Sequence, residues 1–67
     1  MFAYYVDLKD RVVRLCARRG NVVTNPVTDR DQYFDGTTRD SDDGRGYFVN
    51  RAVAAILMRE AHWSASA

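Results

Sequence analysis

The segment from Tyr47 to Trp63 limits the possible folds more than any other part of the chain, because it is the one long stretch with an unbroken helical pattern. Its side chains recur at intervals of three and four residues, which places them on one face of an α-helix. That face comprises Val49, Ala52, Val53, Ile56, Leu57 and Glu60. A DDGRG run of helix breakers precedes the segment. We therefore predict a C-terminal helix whose apolar stripe packs on the core, with Glu60 at its edge.

The N-terminal segment alternates in the manner of β-strands. In residues 2–9, one predicted buried set alternates with more polar neighbours; the set is Phe2, Tyr4, Val6 and Leu8. A second alternating run ends at Ala17, and Val22 to Thr24 follows as a short third strand that Pro26 terminates. The predicted class is α+β: a small N-terminal β-hairpin or three-stranded antiparallel sheet packed by one C-terminal α-helix.

The same residues also support an alternative, an all-α helical hairpin. Asp7 would cap a helix, Leu15 and Cys16 would line one of its faces, and Gly20 would end it. The clusters Tyr4-Tyr5-Val6 and Val12-Val13 favour strands, because aromatic and β-branched side chains pack well on a sheet.

The middle of the chain has turn and loop chemistry. Residues 28–35 predict one helical turn, in which Tyr33 and Phe34 would anchor the segment to the core. Residues 35–46 predict a mobile acidic loop, and residues 64–67 a frayed tail of a single domain spanning residues 1–67. The predicted core consists of Phe2, Tyr4, Val6, Val13, Leu15, Phe34, Phe48, Val53, Ile56, Leu57 and Trp63. Ile56→Ala should then cost about 2–5 kcal/mol.

A chain of 67 residues has a thin core, and this one lacks the usual reinforcements. Cys16 is the only cysteine, so no intramolecular disulfide forms, and with one histidine it cannot build a four-ligand zinc site. We predict no metal site and no cofactor, with Cys16 as a small core residue. A homodimer is the remaining way to enlarge the core.

The first residues lack the pattern of a secretory signal, and the longest apolar run is far shorter than the ~20 residues that cross a bilayer. Together with the free cysteine, this predicts a cytoplasmic protein without a membrane partner.

Charge is unevenly distributed along the chain. Residues 1–27 contain five basic and two acidic side chains, whereas residues 28–46 contain three basic and six acidic ones. The acidic segment fails as an EF-hand, since Gly44 as the sixth position puts Arg39 at the first. Cys16 and His62 are the only nucleophile–base pair, and no phosphate-binding loop is present. We therefore expect no catalytic residues and no enzymatic activity.

The function that remains is binding. We predict a small protein-binding module that modulates or inhibits a larger protein or nucleoprotein complex, in the manner of phage-encoded inhibitors. Its acidic loop would imitate nucleic-acid charge toward a basic surface. The candidate contacts are Arg51, Met58, Arg59 and His62 on the helix, and Asp40, Asp42 and Asp43 in the loop.

The alternative is a small nucleic-acid-binding regulator that uses the N-terminal arginines. These are Arg11, Arg14, Arg18 and Arg19. They could neutralise phosphates, with Tyr4 or Tyr5 available for base stacking. The near-neutral net charge of +1 argues against this alternative, because phosphate affinity grows with the charge neutralised.

Overall fold

A curled antiparallel sheet contains most of the chain. The computed structural model describes residues 1–60 and 64–65. Within them the elements are β1 (Phe2–Asp7), β2 (Val12–Arg19), β3 (Val22–Thr24), β4 (Asp31–Tyr33), β5 (Arg39–Asp40), β6 (Gly46–Val49), α1 (Arg51–Glu60) and β7 (Ser64–Ala65). The strand order is β4-β3-β2-β1-β6-β5, and β7 pairs in parallel with β2. The α+β class is confirmed and the helical hairpin is wrong, but the described antiparallel sheet has six strands rather than three.

The two ends of the sheet approach each other. Phe34 follows β4 at one end, yet its ring centroid lies 6.2 Å from that of Phe48 on β6 near the other end. The Gln32 side chain on β4 also donates a hydrogen bond of 3.2 Å to the backbone carbonyl of Asp40 on β5. The sheet therefore has an enclosed inner face and an outer face.

The inner face contains one apolar cluster, and helix α1 covers a second cluster on the outer face. The inner cluster consists of Ala3, Tyr5, Cys16, Val23, Phe34 and Phe48. The outer cluster consists of Val6, Val13, Val49 and Ala54. Burial of the Cys16 thiol, which raises its pKa to about 11, confirms its predicted place in the core.

Helix α1 begins at Arg51, so the predicted start at Tyr47 is wrong. Tyr47, Phe48 and Val49 belong to β6, which pairs with β1. Asn50 then caps the helix, since its side-chain oxygen accepts a 3.0 Å hydrogen bond from the backbone N–H of Val53. Residues 61–63 of the predicted helix, including the core candidate Trp63, lie outside the described residues.

The buried face of α1 also differs from the predicted stripe. Ala54 is the buried residue of the helix, and the partly buried Val53, Leu57 and Met58 pack beside it. Ala52 and Ile56 are exposed, so their predicted place on the core-facing stripe is wrong. Glu60, which was predicted at the edge of the stripe, is also exposed. The predicted stripe is wrong because the strand ends and the helix begins at Asn50. Val49 belongs to β6, so it does not share a helix face with the residues of α1, and Ala54 is the residue of α1 that faces Val6 and Val13.

Ile56→Ala should therefore cost less than about 1 kcal/mol, against the 2–5 kcal/mol expected for a core residue, because the side chain is 44% exposed. Val49→Ala is the matched comparison, since it removes two buried methyl groups at roughly 0.8 kcal/mol each plus a cavity term. Urea unfolding of both variants measures the difference. Equal losses would contradict this orientation of the helix.

At the start of β1 the buried residues are not the predicted ones. Phe2 is 61% exposed, whereas Ala3 and Tyr5 are fully buried. On β2, the predicted core residue Leu15 is 51% exposed. The side chains of β1 do alternate between two faces, but both faces carry apolar side chains. Alternation alone therefore does not indicate which face lies inside the sheet. Leu8, which belonged to the same predicted face, is 51% exposed.

The remaining core predictions are mixed. Four residues are confirmed as buried: Val6, Val13, Phe34 and Phe48. Three are partly buried beside the outer cluster: Tyr4, Val53 and Leu57. Phe2, Leu15 and Ile56 are exposed and were wrong.

Residues 28–35 do not form the predicted helical turn. Asp31 to Tyr33 form β4, which pairs with β3. Phe34 is buried as an anchor, while Tyr33 is 49% exposed and carries the Arg39 guanidinium 4.8 Å above its ring. The segment has strand geometry because β3 offers it hydrogen-bond partners, which local sequence does not reveal.

The segments predicted as a mobile loop and as a frayed tail both contain strand residues. The segment 35–46 contains β5 and the buried Ser41. Ser64 and Ala65 form β7, and residues 66–67 of the predicted tail lie outside the described residues. Within residues 1–60 and 64–65, no helix has the length and apolar character needed to span a bilayer.

Candidate functional site

A buried carboxylate at the end of β1 organises one side of the sheet. Asp7 is fully buried and accepts hydrogen bonds from Arg45 Nε and Nη2, each at 2.9 Å, and from Arg14 Nε at 3.1 Å. The Arg45 guanidinium is the main cause that lowers the pKa of Asp7 well below its usual value, against the opposing effect of burial. Asp10 bridges the same two arginines at 2.8 and 2.9 Å. These four side chains form a closed ionic network.

Asp43 is the centre of a second polar network. Tyr5 Oη donates to its carboxylate at 2.8 Å, Asn25 Nδ2 donates at 3.0 Å, and the Arg45 backbone N–H donates at 2.9 Å. The Ser41 hydroxyl also donates to it. Desolvation opposes ionisation of Asp43, but the hydrogen bonds, led by that of Ser41, outweigh it and lower its pKa to about 2. Asp43 is therefore charged at neutral pH and fixed in position.

An open groove of about 500 Å³ runs beside Asp43, and we refer to it as the acidic groove. Its walls include Asn25, Arg30, Asp31, Gln32, Asp42 and Asp43. Asn25 is buried, and its side-chain oxygen accepts the backbone N–H of Val27 at 2.8 Å, which shapes one wall. The opposite wall is held by Gln32, whose side-chain oxygen accepts the Asp42 N–H at 2.8 Å. Hydrogen bonds thus fix the backbone from which the exposed Asp31 and Asp42 carboxylates project.

The structure places two of the three predicted loop residues in the acidic groove. Asp42 and Asp43 line the acidic groove, and exposed Asp40 lies on β5, where its carbonyl accepts the Gln32 amide. The side chain of Asp43 is engaged within the fold, so Asp42 and Asp40 are the loop carboxylates that are presented outward.

The predicted helix residues are not among those that line the groove. Arg51 and Arg59 are exposed on α1. Met58 is partly buried and packs against the outer cluster, so most of its thioether surface serves the core. His62 lies outside the described residues.

The N-terminal arginines do not form one cluster. Arg14 pairs with buried Asp7, and Arg18 Nε donates to the Gly20 carbonyl at 2.8 Å while its guanidinium lies 5.1 Å from the Phe34 ring centroid. Arg19 belongs to the opposite face of β2, beside Val22. Exposed Arg11 lies between β1 and β2 with φ 56°. The arginines therefore lie on both faces of the sheet, and two of them, Arg14 and Arg18, make contacts within the fold.

Sequence reasoning missed the residues that support the groove, namely Tyr5, Asn25 and Gln32. One signal for Asn25 was present: an Asn-Pro dipeptide is typical of a turn, and the Asn25 side chain accepts backbone N–H groups of the turn that follows. Tyr5 is 38 residues from Asp43 in the chain, so only the fold reveals their contact.

Comparison of the chain with protein-family models, with curated proteins and with solved structures finds no match.

Proposed function

We propose that this chain is a small non-catalytic module that binds a basic surface of a larger protein or nucleoprotein complex and thereby modulates or inhibits it. The observation that carries the proposal is the acidic groove, in which Asp31 and Asp42 are presented from a backbone held by the Asn25 and Gln32 side chains. A surface fixed before binding loses little conformational entropy when it docks.

Charge supports the same assignment. Asp31, Asp42 and Asp43 line the groove, and Arg30 is the one basic side chain among its lining residues. Asp43 is ionised at neutral pH because its pKa is about 2. A fixed negative surface attracts basic partners and raises the rate of their encounter. A channel or patch that normally holds nucleic acid has the matching charge, which supports the proposal of a phage-type inhibitor.

Helix α1 is a second candidate contact within this function. Arg51 and Arg59 are exposed, and they carry charge opposite to that of the groove. A partner that touches both surfaces would need acidic as well as basic patches, so effects of Arg51 and Arg59 substitutions report on the extent of the interface.

The partner is first identified by affinity capture from a host lysate with and without nuclease, followed by mass spectrometry. Association kinetics with the captured protein then test the groove. We expect Asp42→Lys, alone and with Asp40→Lys, to slow association about tenfold or more at low ionic strength, with the effect shrinking as salt rises.

Asp35→Lys is the matched control, because it makes the same charge change at an exposed position that neither lines the groove nor lies on α1. Equal slowing by Asp42→Lys and Asp35→Lys would contradict docking through the groove. Capture that disappears after nuclease treatment would favour nucleic-acid binding by the N-terminal arginines. That alternative is weaker because Arg14 and Arg18 are engaged in contacts within the fold.

A further inference from the structure

The acidic groove lies where the two ends of the sheet meet. Strand β4 is at one end of the strand order and β5 is at the other. Asp31 and Gln32 of β4 line one side of the groove. Asp42 and Asp43, which follow β5, line the other side. Among the described residues, β4 pairs only with β3 and β5 only with β6, so the groove is an open seam between two strand edges.

The ladder between β3 and β4 shows in which direction the backbone groups of β4 point. The Phe34 N–H donates a hydrogen bond of 2.8 Å to the Asn21 carbonyl. Bonded and non-bonded pairs alternate along an antiparallel ladder, so Gln32, two residues earlier, is also bonded to β3. Asp31 and Tyr33 belong to the non-bonded pairs and direct their backbone N–H and C=O groups away from β3. These groups face the seam.

On the β5 side of the seam, the Gln32 side chain takes the place of a strand. Its Nε2 donates to the Asp40 carbonyl at 3.2 Å, and its Oε1 accepts the Asp42 N–H at 2.8 Å. A residue of a parallel strand makes the same two contacts, with the C=O of one residue and the N–H of the residue two positions further on. The Gln32 amide therefore imitates one peptide unit at an edge that has no strand partner beyond it.

Charge selects the chemistry of an occupant. Asp31 and Asp42 are exposed on the two sides of the seam, and Arg30 is the one cation among the lining residues. An extended peptide with basic side chains matches both features of the seam, because its backbone pairs with a strand edge while its cations meet the carboxylates. A helix or a folded basic surface would meet the carboxylates alone and leave the backbone groups of β4 unused.

We propose that the partner presents an extended basic segment, which enters the acidic groove and adds as a strand to β4 through the backbone groups of Asp31 and Tyr33. This inference rests on the proposed function, since it names the form in which the basic partner is recognised. Main-chain pairing supplies affinity that depends little on sequence, and the carboxylates select basic side chains.

A fluorescein-labelled peptide of three Arg-Val repeats is the probe for this proposal. It combines positive charge with β-branched residues, which favour strands. Fluorescence anisotropy with the full chain measures binding, and amide hydrogen exchange locates it. In the free chain we expect the Asp31 and Tyr33 amides to exchange readily and the Gln32 amide slowly. The peptide should slow exchange at Asp31 and Tyr33 by about tenfold or more, because both amides become part of a ladder.

Asp31→Pro isolates the backbone contact, and Asp31→Ala is its matched control. Both substitutions remove the carboxylate, but only proline removes the N–H. An edge strand tolerates proline where the missing N–H would point away from the sheet. We expect Asp31→Pro to bind the peptide about fivefold or more weakly than Asp31→Ala does, because a hydrogen bond of the added strand is lost.

Three results would overturn the proposal. One is the absence of peptide binding at about millimolar concentration. Another is binding that leaves exchange at Asp31 and Tyr33 unchanged, and this measurement decides even if Asp31→Pro fails to fold. The third is equal binding by Asp31→Pro and Asp31→Ala.

The strand pairing and the proposed function can fail separately. If Asp42→Lys slows association of the captured partner but that partner leaves the Asp31 and Tyr33 amides unprotected, the groove is a docking site and the strand pairing is wrong. If the peptide protects both amides but Asp42→Lys does not slow the captured partner, the proposed function is contradicted and the strand-binding seam stands.

Discussion

Gly46→Ala should abolish the folded state at 25 °C. A Cβ atom at this position would lie 1.9 Å from the Val6 carbonyl oxygen and 3.0 Å from the Val6 carbonyl carbon. Both atoms are backbone, so no side-chain rotation relieves the clash. Strand β6 would have to separate from β1 at the pair Asp7–Gly46, and the hydrogen bonds that Gly46 makes with Ser41 would be lost with it. Far-UV circular dichroism and a thermal melt should show no cooperative transition.

Gly44→Ala is the matched control for this prediction, because Gly44 lies two residues earlier, in the turn that leads into β6. Gly44 has φ +68°, and a Cβ there would meet nothing within 4 Å. Its cost is only the strain of an L-residue in the left-handed region, roughly 1–2 kcal/mol. A Gly46→Ala protein that melts near the temperature of the Gly44→Ala protein would show that β1 and β6 are not packed this closely.

Asp7→Asn should destabilise the protein by about 3–5 kcal/mol, the range typical of a buried ion pair that loses one partner. The amide would leave the guanidinium groups of Arg45 and Arg14 without the carboxylate that both contact at about 3 Å. A domain of this size has a total stability of only roughly 3–5 kcal/mol. Urea unfolding at pH 7 should therefore find the variant largely unfolded or close to its midpoint without denaturant.

Asp10→Asn is the control, because its side chain is 48% exposed and such ion pairs contribute about 1 kcal/mol or less. The pKa of folded Asp7 lies below its unfolded value near 3.9, so its stabilisation is complete above about pH 4 and is lost as pH falls further. The unfolding free energy of the wild type should decline with acidity below pH 4. An unfolding free energy of the wild type that stays constant as pH falls from about 4 to about 2 would contradict the role given to Asp7.

Local sequence was sufficient where neighbouring residues form the structure. The β1–β2 hairpin, the short β3 and the buried Cys16 follow from alternation, β-branched side chains and the small size of the thiol. The acidic character of residues 35–46 was also evident, and Asp42 and Asp43, which line the candidate groove, belong to that segment. These features depend on contacts within a few residues or within one hairpin.

The tertiary structure decided the rest because the deciding contacts join distant residues. Phe48 and Val49 continue a helical pattern in sequence, yet the free edge of β1 draws them into a strand before Asn50 caps α1. The two apolar faces of β1 are equally good locally, and only closure of the sheet over Phe34 and the docking of α1 select the inner one.

The candidate surfaces divide in the same way. The sequence by itself determined which charges and apolar residues are present and that the N-terminal half forms strands. The fold determined that Tyr5 and Asn25 hold Asp43, that Gln32 holds the wall bearing Asp42, and that the acidic groove lies between the two end strands of the sheet. Periodicity reports which side chains share a face, whereas the partner that a face receives depends on strand pairing and curvature, which are set by contacts across the whole chain.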